Sequence, residues 1–135
     1  MSSAIEAFLS GSPHAVVGAS KDRDKYGNKV LRNYVQRGRS VYAVNPAEAG
    51  GDGIEGVPTF ATLADLPERV HGISIITPPK VTERIVDDAI AAGIAHLWMQ
   101  PGAESGPAVA RAEAAGLSVI HGGPCLLVVL GFKGP

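Results

Sequence analysis

The chain has 135 residues, enough for one ordinary hydrophobic core, and at 45% hydrophobic content it has the side chains to fill it. Its 12 basic and 13 acidic residues leave a net charge of −1, so no global field draws it to nucleic acid or to an anionic membrane. The single cysteine, Cys125, excludes an internal disulfide framework and a cysteine-based zinc cluster, and suits a reducing cytoplasm.

The apolar start, Met1 to Leu9, is short and interrupted by Glu6, which argues against a signal peptide or membrane span and for a cytoplasmic protein. From there on, short apolar runs alternate with stretches of helical period, and glycine or proline marks each join. That is the pattern of βαβ units. Ala15 to Val17 is the first expected strand, and Val30, Leu31, Tyr34 and Val35 are spaced as the buried stripe of the helix after it. Val41 to Val44 is the second strand. The segment Ala47 to Gly56, poor in apolar residues, reads as an exposed and mobile loop, and Thr62 with Asp65 as a short helix start. Ile73 to Ile76 is the third strand, followed by a helical stripe of Val81, Ile85, Val86, Ala89 and Ile90. Leu97 to Met99 is the fourth, and Pro107 fits the first turn of a helix running to Ala115. Ser118 to Ile120 is the fifth. Gly38, Gly93 and Gly116 each close a helical pattern ahead of a strand, where a left-handed residue is needed. Strands this apolar are covered on both faces. The expected fold class is therefore α/β: a doubly wound, parallel, five-stranded sheet in a single domain over residues 1–135.

Such sheets bind ligands at the carboxyl ends of their strands, where the winding reverses. The loop after the first strand begins Gly18, Ala19, Ser20, Lys21 and continues through Lys25, Tyr26, Gly27 and Asn28 into a helix, whose free N–H groups and dipole favour a phosphate. Gly18 permits close backbone approach, Ser20 offers a hydroxyl, and Lys21, Arg23 and Lys25 offer positive charge. A plain solvated connection of alternating charges is the alternative for this loop. The second strand ends in Asn45 and Pro46, where a domain binding a nicotinamide dinucleotide carries an acid for the ribose hydroxyls, and the first loop lacks the G-x-G-x-x-G spacing. The third ends in Thr77, Pro78 and Pro79, a stiff apolar ledge suited to an adenine ring as well as to a helix start. Trp98 reads as core; Gln100, Pro101 and Gly102 follow it at the binding edge. His14, His71, His96 and His121 are scattered and propose no metal site, and Cys125, followed by apolar Leu126 to Leu130, reads as a small buried hydrophobe.

Four segments together resemble the stand-alone CoA-binding domain proteins. They are Val16-Val17-Gly18-Ala19-Ser20, Val41 to Pro46, Leu97 to Gly102 and Gly123-Pro124-Cys125. The match runs from about Ser12 to Leu127 and is similar to the Rossmann-like N-terminal CoA-binding domain of the succinyl-CoA synthetase α subunit. The resemblance implies coenzyme A as cofactor, with Gly18 to Ser20 and the following helix at the phosphates and Asn45-Pro46 beside the nucleotide. It implies Thr77-Pro78-Pro79 at the adenine and Gln100 to Gly102 along the pantetheine. The first loop departs from its relatives in its run Lys21 to Lys25, which leaves open which base meets which phosphate. The synthetase also uses a phosphorylated histidine of a second domain, for which this chain has no counterpart. Binding of CoA or an acyl-CoA without turnover is the expected function, since no acid, base and nucleophile converge. The alternatives are a subunit that uses CoA as acyl acceptor beside a partner catalytic chain, and a NAD(P)-binding redox or sensor domain. The apolar tail, Leu126 to Phe132, needs cover from the domain or from a second copy of the chain.

Overall fold

β-Branched and aromatic runs four residues long are too short to stand alone, and here they are stabilised by pairing into one sheet. The computed structural model describes residues 2–134; Met1 and Pro135, the outer limits of the readings above, lie outside the described residues. Its elements in chain order are α1 (Ser3–Leu9), β1 (His14–Val17), α2 (Tyr26–Gln36), β2 (Val41–Val44), β3 (Thr59–Phe60), β4 (Gly72–Ile75), α3 (Pro79–Ala92), β5 (His96–Met99), α4 (Gly106–Ala114), β6 (Ser118–Ile120) and α5 (Leu126–Val129). Short 3-10 turns at Pro46–Glu48 and Leu63–Asp65 flank β3. The sheet is parallel throughout, in the order β3-β2-β1-β4-β5-β6.

The α/β class and doubly wound parallel sheet are as expected, but the sheet has six strands rather than five. The extra strand, β3, is a two-residue edge segment pairing Thr59 with Ala43 and Phe60 with Val44. Two residues carry no periodicity, and Pro58 just before them reads as a loop signal. The expected exposed loop 47–56 is also corrected in part. Its Ile54 is buried against Val30, Leu31 and the rest of one core, bridged to Val57 and held by a bond from Ile54 N to Thr59 Oγ1 of 3.0 Å.

The two faces of the sheet carry separate cores. Ile5, Phe8, Val30, Leu31, Tyr34 and Leu126 cover Val16, Ala43 and Trp98 on one face. Val86, Ala89, Ala108 and Ala112 cover Ala15, Val17, Ile73, Ile75, Leu97 and Met99 on the other. Trp98 is fully buried, as expected, and its indole N–H donates to Pro124 O at 3.0 Å. Gly93 closes α3 at φ +72, and Pro79 opens it. The apolar tail is tied down by α2: Arg37 donates to Leu130 O and Gly131 O, Gln36 bonds Lys133 twice, and Arg32 stacks over Phe132.

Register then levels the strand ends. Val17 lies opposite Val44 and Ile75, so Gly18, Asn45, Ile76 and Gln100 emerge along one rim. Single bonds continue the ladder past the strands: Gly18 N to Val44 O, Ile76 N to Val17 O, Asn45 N to Phe60 O and Gln100 N to Ile75 O. The order reverses between β1 and β4, and the rim opens there.

Candidate functional site

Above that reversal lies a cleft of about 940 Å³. Its walls are the β1–α2 turn (Val17 to Ser20 and Lys25 to Gly27), the ends of β2 and β3 (Val44 to Pro46 and Ala61 to Leu63), and the start of α3 (Ile76 to Pro78, Val81, Arg84, Ile85, Asp87 and Asp88). Polar groups of the turn and charged groups of α3 frame an apolar floor, the usual make-up of a small-molecule site.

The turn is built from glycines that nothing else replaces. Gly18 has φ +94, and a Cβ there would lie 2.0 Å from Ile76 O. Gly27, in the first turn of α2, would put a Cβ 2.1 Å from Gly18 O. The helix end is thereby pressed onto the turn, and its N–H groups come close to whatever sits above Gly18. Lys25 occupies the N-cap position without a capping side chain, and no acid lies in the first turn of α2. Uncapped, unneutralised donors at a helix start suit an anion.

Neighbouring side chains hold this turn open. Asn45 Nδ2 donates to Ala19 O at 2.8 Å, and Asn28 Nδ2 donates to Ser20 O at 2.8 Å and to Glu55 Oε2 at 3.1 Å. Asn45 Oδ1 accepts from Ala47 N at 2.8 Å, so both ends of its amide are used by backbone. An aspartate in its place would face Ala19 O with a second acceptor.

The expected site residues divide in two. Gly18, Ala19, Ser20, Lys25, Tyr26, Gly27, Asn45, Pro46, Thr77 and Pro78 line the cleft together. The other six are placed elsewhere. Lys21 is exposed and paired with Glu48 at 3.4 Å. Asn28 is buried behind the turn and also accepts from Arg32 Nε at 2.6 Å. Pro79 is exposed at the head of α3, and Pro101 and Gly102 are exposed beyond β5. Gly102 N already donates to Glu104 Oε1 at 3.1 Å, and the same carboxylate accepts from Gly122 N at 3.1 Å. Gln100 is wholly buried: its Oε1 accepts from Tyr26 Oη at 3.0 Å and from Leu126 N at 2.9 Å. Tyr26 Oη also touches Cys125 Sγ, and burial first, then this contact, pushes the Tyr26 phenol well above its ordinary pKa.

The sequence reading missed the α3 wall. Arg84 brings a second cation to the cleft; Asp87 and Asp88 bring two carboxylates, of which Asp87 is paired with Arg111 at 3.1 Å. Val81 and Ile85 were assigned only to a buried stripe, yet a helix start over a cleft exposes part of that stripe. Three of the scattered histidines do meet, at the opposite end of the sheet. His71 stacks on His96 with ring centroids 4.3 Å apart, and His14 lies edge-on to His71 at 5.8 Å. Among the described residues no group of three or more His, Cys, Asp or Glu is placed to hold a metal ion. No helix among them is long and apolar enough to cross a membrane.

The chain is similar to several known proteins. It is 34% identical over 74 residues to an ADP-forming acetate–CoA ligase I of Archaeoglobus fulgidus, covering 55% of this chain and 10% of the relative. It is 28% identical over 91 residues to the α subunit of an ADP-forming acetate–CoA ligase II of Pyrococcus furiosus, covering 67% of this chain and 19% of the relative. The chain thus spans a tenth to a fifth of the length of these curated relatives. A solved structure of a conserved hypothetical protein from Pyrococcus furiosus superposes with a TM-score of 0.78 at 39% identity, covering 86% of this chain and 97% of that one. The model of the CoA binding domain family matches residues 13–131, nearly the whole sheet and its helices, and the chain belongs to that family.

Proposed function

We propose that the protein binds coenzyme A or an acyl-CoA in the cleft between the β1–α2 turn and the start of α3, without itself catalysing a reaction. The observation that carries this reading is the turn: Gly18 and Gly27 bring the uncapped start of α2 onto the cleft, with no carboxylate in its first turn. Such a start supplies N–H donors and a positive dipole end to a pyrophosphate. Lys25 and Arg84 add charge at the cleft wall, and the Pro46 and Pro78 rings offer apolar edges to a base. Asn45 at the end of β2 takes the place of the acid that nicotinamide dinucleotides require, which supports CoA over NAD.

Bound CoA would supply a thiol for carrying acyl groups; this chain's own residues supply binding and orientation. Membership of the CoA binding domain family supports the same ligand. A second reading is that the bound cofactor serves as acyl acceptor for a partner catalytic chain. It is favoured by the names of the curated relatives, which are acetate–CoA ligases. Isothermal titration of the reduced protein with CoA, ADP, NAD and NADP tests the first. CoA is expected to bind at least about tenfold more tightly than NAD, a difference of about 1.4 kcal/mol. Tighter binding of NAD, or no heat with CoA, would reject it. Acyl transfer appearing only when a co-purified chain is added would favour the second.

A further inference from the structure

The cofactor proposed for the cleft ends in a thiol, and the structure holds a thiol of its own just behind Tyr26. Tyr26 lines the cleft, while its hydroxyl reaches away from it to Gln100 Oε1 and Cys125 Sγ. Gln100 Oε1 only accepts, so the single phenol proton goes there, and the Cys125 thiol donates to Tyr26 Oη. Burial holds the phenol protonated. Gln100 is fully buried, and its side-chain oxygen accepts from Leu126 N, the residue next to Cys125. Among the described residues its Nε2 has no partner at all. A buried amide N–H left unmade is costly, so it asks for an acceptor that arrives with a ligand. The pantetheine arm carries two amide carbonyls and ends in sulfur. Cys125 itself is half-buried, so part of it meets solvent, and it follows exposed Gly122 and Gly123.

We infer that Cys125 is a site of reversible thiol–disulfide exchange with the cofactor, forming a mixed disulfide with CoA while the nucleotide end is held in the cleft. This rests on the reading of that cleft as a CoA site. In the step the Cys125 thiol loses its proton, and the thiolate attacks one sulfur of the symmetric disulfide of CoA. A bond forms between Cys125 Sγ and that sulfur, the original S–S bond breaks, and the departing CoA thiolate takes up a proton from solvent. No other oxidant is needed. Docking of the nucleotide end raises the local concentration of the disulfide at Cys125, so the reaction should saturate and should prefer this disulfide to others.

The test uses the 135-residue chain, in which Cys125 is the only cysteine and every adduct is therefore assigned. The reduced protein is incubated with CoA disulfide or with glutathione disulfide and followed by intact mass under non-reducing conditions. Expected is one added CoA per chain, removed by dithiothreitol, forming roughly tenfold or more faster than the glutathione adduct. The rate should level off with concentration, and excess ADP should slow it; Cys125→Ser should gain no mass. Equal, unsaturated rates for the two disulfides, or no CoA adduct, would overturn the inference. If calorimetry shows that reduced CoA binds while labelling is unselective, the cleft reading stands and only the exchange fails. If CoA gives no heat, both fail.

Discussion

At single positions, opposing effects of known size decide what the turn tolerates. Alanine favours a helix over glycine by about 1 kcal/mol, so Gly27→Ala would stabilise α2 if the helix were free. Here the new Cβ meets Gly18 O at 2.1 Å and Ala19 Cα at 3.3 Å, backbone atoms that do not swing aside. The clash wins: Gly27→Ala is expected to lose about 1–3 kcal/mol in urea unfolding and more than about tenfold in CoA affinity. A variant as stable and as tight as the parent would refute this account of the turn. Asn45→Asp separates a hydrogen-bond role from a bystander. It removes the donor to Ala19 O and sets two acceptors face to face, at a cost of about 1–3 kcal/mol. It also places a negative charge beside the proposed phosphate site, and titration should show CoA affinity falling by roughly tenfold or more. Residues that shape the cleft through local backbone, such as Gly18, Ser20 and Asn45, were legible because strand ends and glycines announce them. Gln100 was not: sequence puts it at the rim, but its burial depends on α2 and α5 closing over it, which no local pattern encodes.

Among the elements, α1 is held at its carboxyl end by side chains from three strand starts. His14 Nε2 meets Phe8 O at 2.7 Å, His71 Nε2 meets Ala7 O at 2.8 Å, and Arg39 Nη1 donates to Leu9 O at 3.0 Å. Burial is the main force lowering the His14 pKa, to about 4; the Phe8 carbonyl opposes it, and Arg39, His71 and His96 add repulsion. His96 is lowered too, again chiefly by burial and then by His71. A lowered histidine takes up its proton in the unfolded chain first, so its contribution is intact above the unfolded value near 6.5 and is lost as pH falls toward 4. At about 1.4 kcal/mol for each tenfold change in acidity, His14 accounts for about 3 kcal/mol of that loss. The melting temperature should therefore fall steadily between pH 6.5 and 4.5. In His14→Gln, which keeps a donor for Phe8 O, the fall should be shallower; an unchanged slope would show that His14 is not the titrating group. Strong helical stripes such as Val81 to Ile90 were legible, and so were the left-handed glycines after α2, α3 and α4. The strand β3 and the histidine cluster were not, because the first is two residues of edge pairing and the second joins positions 14, 71 and 96 only after the sheet has formed.

For the whole molecule, sequence order and architecture are tightly linked. Alternating apolar runs and amphipathic stripes dictate a parallel sheet; the chain winds outward from β1 to β2 and β3, returns to β4 on the other side of β1 and winds outward again, which puts the reversal between β1 and β4. Everything proposed for function lies at that end of the sheet, and the histidine cluster that holds α1 lies at the other. Ligand effects and histidine titration should therefore be sharply divided in space. Amide chemical shifts of the isotope-labelled protein, followed while CoA is added, test it most directly. The largest changes should fall on residues 18–20, 25–27, 45 and 77, with residues 14, 71 and 96 unmoved. Changes concentrated at the histidine end, or no changes in the β1–α2 turn, would contradict it.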